Sequence, residues 1–304
     1  MTGRMSLSQR RGDEAEFSIG FLTALVSDEL IHCEAILAAH GWEAADLPEL
    51  SMVGIKRWVK SIDGRVIAAY SMAIGTMGQT ASALETMAFL GRCRRPSIVF
   101  LTGIAGSLRE DKVYKGDVVV ARSTRWRTQN KIFGDDGCDQ YRPFDNILRE
   151  SGASSDISRL MQRHLAEKYP HRDRNAEWQE VWNAHYGEIY TWDYVINSQR
   201  VVRKINADFP ESLCVEMEAG GFLGALDRAR TMTGDRPMHG YVVRGISDYA
   251  ARKDKEKNVR ASASKNAAEV AVGLAELMCR QGMLARLGKA ALQTVGLGNK
   301  RSQN

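Results

Sequence analysis

The sequence predicts an α/β fold, a single domain whose mixed central sheet is flanked by helices. Continuous apolar runs rich in β-branched and aromatic residues recur along the chain, as strands buried on both faces require. Segments with apolar residues at helical spacing fall between them, and this alternation is the α/β pattern. Small or acidic residues stand where four of the apolar runs end, the place where an α/β sheet opens its ligand crevice.

The elements follow in order. Residues 1–16 are polar, lack the apolar core of a secretory signal and are expected to be disordered, which points to a cytoplasmic protein. The run FSIGFLTALV (17–26) is the first buried strand. Ser27 or Asp28 caps a helix that places Leu30, Ile31, Cys33, Ile36 and Leu37 on one face. Further strands are expected over 65–73, 97–102, 117–121, 190–196, 213–215 and 240–245, and helices over 79–91, 201–207, 219–230 and 261–279. Between about 122 and 188 the chain turns rich in charge, Trp and Tyr, and carries the turn-rich FGDDGCDQYRP. This stretch reads as an insert beside the site, with helices over 157–169 and 176–185, within a domain spanning 17–280. Residues 281–304 form a tail.

Composition excludes several classes. No apolar run reaches the roughly 18 residues that a bilayer-spanning helix needs, so no membrane association is expected. The 42 basic and 37 acidic residues leave a net charge of +5. Its local clusters (Arg122, Arg125 and Arg127; Arg252, Lys253, Lys255 and Lys257) come with no recognisable nucleic-acid-binding module. They read as solvated faces, although the first cluster would also suit the 5′-phosphate of a small molecule. The five cysteines are scattered, with no CxxC pair, which argues against a disulfide framework or a zinc site.

Four segments carry the candidate chemistry. After the run SIVF, Gly103-Ile104-Ala105-Gly106 reads as a tight turn whose backbone could approach a ligand. After LCV, Glu216-Met217-Glu218 places two acids at a strand-to-helix junction, where a carboxylate can accept from both hydroxyls of a ribose or complement the helix dipole. In Arg244-Gly245-Ile246-Ser247-Asp248 a strand delivers an acid, with Arg244 and Ser247 near enough to orient it. Such an acid could protonate a leaving base or simply cap a turn. The acids of Thr23-Ala24-Leu25-Val26-Ser27-Asp28-Glu29 could orient a water or serve as helix cap and first-turn acid.

In this order, IGFLTALVSDEL, TMGQTASAL (76–84), FLTGIAGSLREDKVYKGDVVVA (100–121), VINSQRVVRKI (195–205), CVEMEAGGF (214–222) and VVRGISDYA (242–250) resemble the nucleoside phosphorylase/nucleosidase superfamily. The likeness is strongest to its methylthioadenosine/S-adenosylhomocysteine nucleosidase branch. The chain is also similar to related domains that head some immune-type signalling proteins and antiviral effectors. The matching segments span most of 17–280 outside the insert.

The resemblance implies roles. Asp248 corresponds to the acid that protonates N7 of a purine, with Ser247 supporting it. Glu218 is the ribose-hydroxyl ligand, beside Glu216, and Met217 packs on the sugar. Val195 and Ile196 lie where the family lines the base pocket, often with an aromatic, a part left here to Trp126, Phe133 or Tyr194. Gly103, Ile104 and Ala105 form the small-residue wall. The water-activating acid maps onto Asp28, with Glu29 adjacent as the alternative. The phosphorylase branch carries a Gly-Asp-Pro-x-Arg turn and a hydroxyl in the small-residue loop, and this chain has neither. The expected activity is therefore hydrolysis of the N-glycosidic bond of a purine nucleoside or nucleotide, without metal or cofactor, by a homo-oligomer. Phosphorolysis and a catalytically weak nucleotide-binding sensor are the alternatives.

Overall fold

Strand β1 (Ser18–Thr23) has every side chain after Ser18 buried, as expected of a run that is apolar on both faces. The computed structural model describes residues 18–93, 96–133, 140–149, 155–170, 181–233, 238–252 and 257–281. β1 pairs in parallel with β4 (Arg65–Ala73) and with β5 (Ile98–Ser107). The whole sheet runs β10 (His239–Tyr249), β6 (Val118–Phe133), β8 (Ala184–Thr191), β9 (Ser212–Glu216), β5, β1, β4, β3 (Lys56–Ile62), β2 (Glu43–Ala45), with β7 (Gln140–Arg149) against β6.

β5 organises the sheet. Along one edge it pairs with β10 from Ile98 to Ser107. Its other edge pairs with β1 through Leu101 and with β9 from Gly106. β5, β10, β6, β8 and β9 thereby close on themselves like a small barrel, while β1, β4, β3 and β2 continue as an open sheet. Between Leu101 and Gly106 neither β1 nor β9 covers β5. That gap is where the site forms.

Helices cover both faces. α1 (Ile31–Ala39), α4 (Ser155–Lys168) and α7 (Lys257–Arg280) pack on one, where Ile19, Phe21, Phe100, Val118, Val120, Tyr241 and Val243 point. α3 (Gln79–Arg92) and α6 (Ala219–Thr233) pack on the other, against Leu22, Val99, Leu101, Val119, Ala121 and Val242. Odd and even residues of one strand thus enter different cores, the period-2 rule with both faces dry. A short α2 (Pro48–Ser51) precedes β3, and α5 (Gln199–Asp208) packs against the β8–β9 side. No helix among the described residues is long and apolar enough to cross a membrane.

The structure differs from the sequence expectations at several points. Gly103–Gly106 is not a turn: pairing with β10 keeps it extended despite its glycines. The strand expected over 190–196 ends at Thr191, whose partner Glu216 is the last residue of β9. Residues 192–196 leave the sheet there. The strand expected to end at Ala121 continues through the Arg-rich start of the insert, because β6 runs to Phe133 and pairs with β7. β2, β3 and β7 were not expected. In the 176–185 helix, Ala184 and His185 belong to β8 and 176–180 lie outside the described residues. So do the lead over 1–16, Cys138 and nearly all of the tail.

Candidate active site

The gap on β5 opens into a cavity of about 410 Å3 lined by ends of several elements. From the segment after β1 comes Glu29. The chain after Thr23 winds through one π-helical turn (Val26–Leu30), closed by the Leu30 N–H donating to the Leu25 carbonyl at 3.0 Å. Such turns are rare and concentrate at functional sites. This one swings Glu29 inward to 2% exposure. Its Oε2 accepts from the backbone N–H of Ala24 (2.7 Å) and Leu25 (3.0 Å), and its Oε1 from that of Ile104 (2.9 Å), in the uncovered stretch of β5. The small-residue segment therefore binds a carboxylate of the protein itself. Asp28 points elsewhere. Its carboxylate is 42% exposed and pairs with Arg260 at 3.1 Å, so the acid at the cavity wall is Glu29 and not the Asp28 onto which the resemblance maps it.

β9 and the start of α6 supply the second group. Both oxygens of Glu216 accept the Ala219 N–H, and Oε2 also accepts that of Glu218 at 3.0 Å, which makes Glu216 the cap of α6. Arg244, fully buried on β10, donates to Glu216 and to Glu218 Oε2 (3.0 Å). Arg244 therefore serves the glutamates and not Asp248, contrary to the sequence expectation. Glu218 Oε1 accepts the N–H of Gly78 at 3.2 Å. Burial pushes the Glu218 carboxyl up to about 7, with Arg244 opposing the rise and Glu216 and Glu29 adding to it. Burial works against the charge of Arg244, but Glu216, Glu218 and Glu29 hold it firmly cationic. Among the described residues, its Nε and Nη1 have no hydrogen-bond partner. Gly103 separates this group from the first: a Cβ there would overlap both Glu29 Oε1 and Arg244 Nη1, so only glycine lets those two charged ends converge.

The third group sits on a β-bulge. Ile246 opposes Ala105 and Asp248 opposes Gly106, which leaves Ser247 as the extra residue. Bulges re-aim side chains beside sites, and here Ser247 and Asp248 both line the cavity. Ser247 Oγ lies 2.9 Å from Asp248 Oδ2 and 3.3 Å from the Ala105 carbonyl, which fixes one carboxyl oxygen. Asp248 Oδ1 lies over Gly106, where a Cβ would stand 2.9 Å away.

Met217, Ile104, Ala105, Val195 and Ile196 also line the cavity, whereas Gly103 lies behind Glu29 and Arg244. Of the aromatics considered for the base pocket, Tyr194 lines it. Trp126 instead packs its indole against Gly220 of α6, and the Phe133 side chain lies outside the described ones. The arginines after Ala121 are not at the cavity. Arg125 is held bidentate by Glu188 at 3.0 and 3.1 Å, and Arg127 stacks on Trp192 at 4.0 Å. Arg260, Met77, Ala24, Leu25 and Val215 complete the wall; Ala24, Leu25, Met77 and Val215 lie in segments marked in the sequence but were given no role, and Arg260 lies outside those segments. No local signal marks Arg260, since the start of α7 meets the other elements only in the fold. The described cysteines take no part: burial pushes the thiols of Cys33 and Cys93 up to about 12.

Comparison with known proteins agrees with this architecture. The family model of the phosphorylase superfamily matches residues 28–280. In fold the chain is similar to the 5′-methylthioadenosine/S-adenosylhomocysteine nucleosidase of Helicobacter pylori, with 18% identity and a TM-score of 0.59 over 86% of this chain and 99% of that one. It is similar to the corresponding nucleosidase of Colwellia psychrerythraea, solved in complex with adenine, with 18% identity and a TM-score of 0.57 over 86% and 96% of the two chains. The futalosine hydrolase of H. pylori gives 18% identity and a TM-score of 0.56 over 86% and 97%. At these identities the likeness is one of fold.

Proposed function

The chain belongs to the phosphorylase superfamily, and we propose that it hydrolyses the N-glycosidic bond of a purine nucleoside or nucleotide, releasing the free base. The observation that carries this reading is the division of labour among the acids in one cavity. Asp248 is backed by Ser247, Glu218 stands at the start of α6, and Glu29 sits on the π-turn. A purine leaves poorly as an anion, and Asp248 supplies the proton to N7. Glu218 accepts from the vicinal ribose hydroxyls, while Glu216, fully engaged as a cap, does not, and Met217 packs on the sugar. As the bond breaks, positive charge grows on the ribose, and the surrounding carboxylates stabilise it. Glu29 draws the proton from the attacking water, and Arg244, buried behind Gly103, holds Glu216 and Glu218 in place.

Hydrolysis is favoured over phosphorolysis by the charge of the wall. Glu29, Glu216, Glu218 and Asp248 line it, and its one cation among the described residues, Arg260, is paired with Asp28. A phosphate dianion at the sugar face would meet carboxylates. Base release should therefore proceed in phosphate-free buffer at a rate that added phosphate does not raise. A strict phosphate requirement would identify a phosphorylase, and binding without release would identify a sensor.

Glu218 provides a pH test. Burial raises its carboxyl to about 7, so below that pH it is neutral and loses the charged acceptor. The kcat/KM for a ribose substrate should fall as the pH drops through about 7. Glu218→Gln should flatten that limb and cost about 1.5–3 kcal/mol, roughly a ten- to hundredfold loss. A 2′,3′-dideoxy substrate should be nearly indifferent to the substitution. If wild-type protein handled that analogue as well as the ribose form, Glu218 would not be the ribose ligand.

We also read the protein as a cytoplasmic homo-oligomer. The apolar side chains exposed at the cavity rim, Met77, Tyr194 and Val195, support a covering surface from a second copy, which sedimentation would detect.

A further inference from the structure

Arg260 is the charged cavity residue that the reaction above does not use. It stands in the first turn of α7 and lines the cavity. Its Nη2 pairs with Asp28 Oδ2 at 3.1 Å, and its Nε is buried with no hydrogen-bond partner among the described residues. The other charged groups of the cavity are held independently of it. Arg244 pairs with Glu216 and Glu218, three backbone N–H groups hold Glu29, and Ser247 holds Asp248. The pair with Asp28, the residue before Glu29, sets the guanidinium at the sugar end of the cavity. A cation serving the anomeric carbon there would oppose the positive charge that develops on the ribose. The ribose hydroxyls already have Glu218, and the base has Asp248. What remains of a nucleoside at the sugar end is its 5′ substituent.

We infer that Arg260 receives an anionic group carried on the 5′ carbon of the substrate, a phosphate or a carboxylate. The inference rests on the hydrolase reading of the cavity and adds the chemical class of the substrate. A guanidinium presents five donors in a planar fork that matches either anion through two parallel hydrogen bonds. Asp28 is paired through Nη2, and the accessible part of the guanidinium at the cavity wall is where a bidentate anion would be received. A thioether at the 5′ position offers no comparable acceptor. Asp28 then acts as the resting counter-ion that holds the guanidinium at the cavity before substrate arrives. This places the recognition of a 5′ anion on α7 rather than on Arg122, Arg125 and Arg127.

The test compares three adenosine derivatives in wild-type protein and in Arg260→Gln: methylthioadenosine, whose 5′ group is neutral, adenosine 5′-monophosphate, and S-adenosylhomocysteine, which carries a carboxylate. The kcat/KM ratio of the preferred anionic substrate to methylthioadenosine should fall by about tenfold or more in the variant, mostly through KM. Which anionic substrate shows the fall separates phosphate from carboxylate. Calorimetric binding of the same compounds in an Asp248→Asn background, with and without Arg260→Gln, gives a readout independent of turnover. An Arg260-dependent preference for an anionic compound in either measurement supports the inference. An unchanged ratio together with equal binding overturns it. Absence of base release from all three compounds overturns the hydrolase reading, and the binding comparison then decides the Arg260 subsite by itself.

Discussion

Asp248→Asn is expected to abolish base release while leaving the protein folded. The amide keeps the shape of the carboxyl and can still meet Ser247 Oγ at the Oδ2 position and pack over Gly106. It has no proton to give to a departing purine. General acid catalysis contributes about 10²- to 10⁴-fold, so a loss of at least a hundredfold in kcat is expected, with the thermal midpoint of unfolding little changed. Adenine release followed by chromatography, alongside a melting curve, measures both. Retention of more than about a tenth of the wild-type rate would remove Asp248 from the acid's role. A loss of rate with a collapsed melting curve would mark the residue as structural.

How far this site could be read from sequence depended on how local its determinants are. The apolar runs of β1, β5 and β10 were legible because both faces of each strand are buried, which leaves solid Val, Ile, Leu and Phe. β3 was not. Its KRWVKSI places Lys56 and Lys60 in the strand, neutralised by Glu34 and Glu276 from elements distant in sequence. Gly103-Ile104-Ala105-Gly106 looked like a turn because glycine weakens strands. Pairing with β10, more than a hundred residues away, holds it extended, and the glycines serve the approach of Glu29, Arg244 and Asp248 instead. Ser247 and Asp248 were visible as a pair, but the bulge that turns both into the cavity is a property of register with β5. Arg244 lay beside Asp248 in sequence and was assigned to it; strand geometry gives it to Glu216 and Glu218, which arrive from β9 and α6. Arg260 carried no motif, since its meaning comes from the meeting of α7 with the π-turn.

The choice between Asp28 and Glu29 turns on a single residue of offset, and the second large effect tests it. Glu29→Gln is expected to lower kcat by about 10²- to 10⁴-fold as the base for the attacking water is lost. With a 5′-neutral substrate, Asp28→Asn should stay within about threefold of wild type, a surface ion pair being worth about 1 kcal/mol or less. The geometry accounts for the contrast. In an ordinary α-helical turn a residue so near the start of the helix is a poor guide to what lies in the cavity. The i to i−5 closure at Leu30 rotates Glu29 onto Ile104 and leaves Asp28 off the cavity wall, paired with Arg260 of that wall. Glu29→Gln also carries a structural cost. Its two oxygens accept N–H groups from Ala24, Leu25 and Ile104, and an amide places a donor against at least one of them, an unmatched buried group worth about 1–3 kcal/mol. The rate is therefore to be read together with the melting temperature and with binding of free adenine. Adenine should still bind, since Asp248 and the base pocket are untouched. A folded, adenine-binding Glu29→Gln protein with near wild-type turnover, beside an inactive Asp28→Asn protein, would hand the water-activating role to Asp28 and require the π-turn to rearrange when substrate binds.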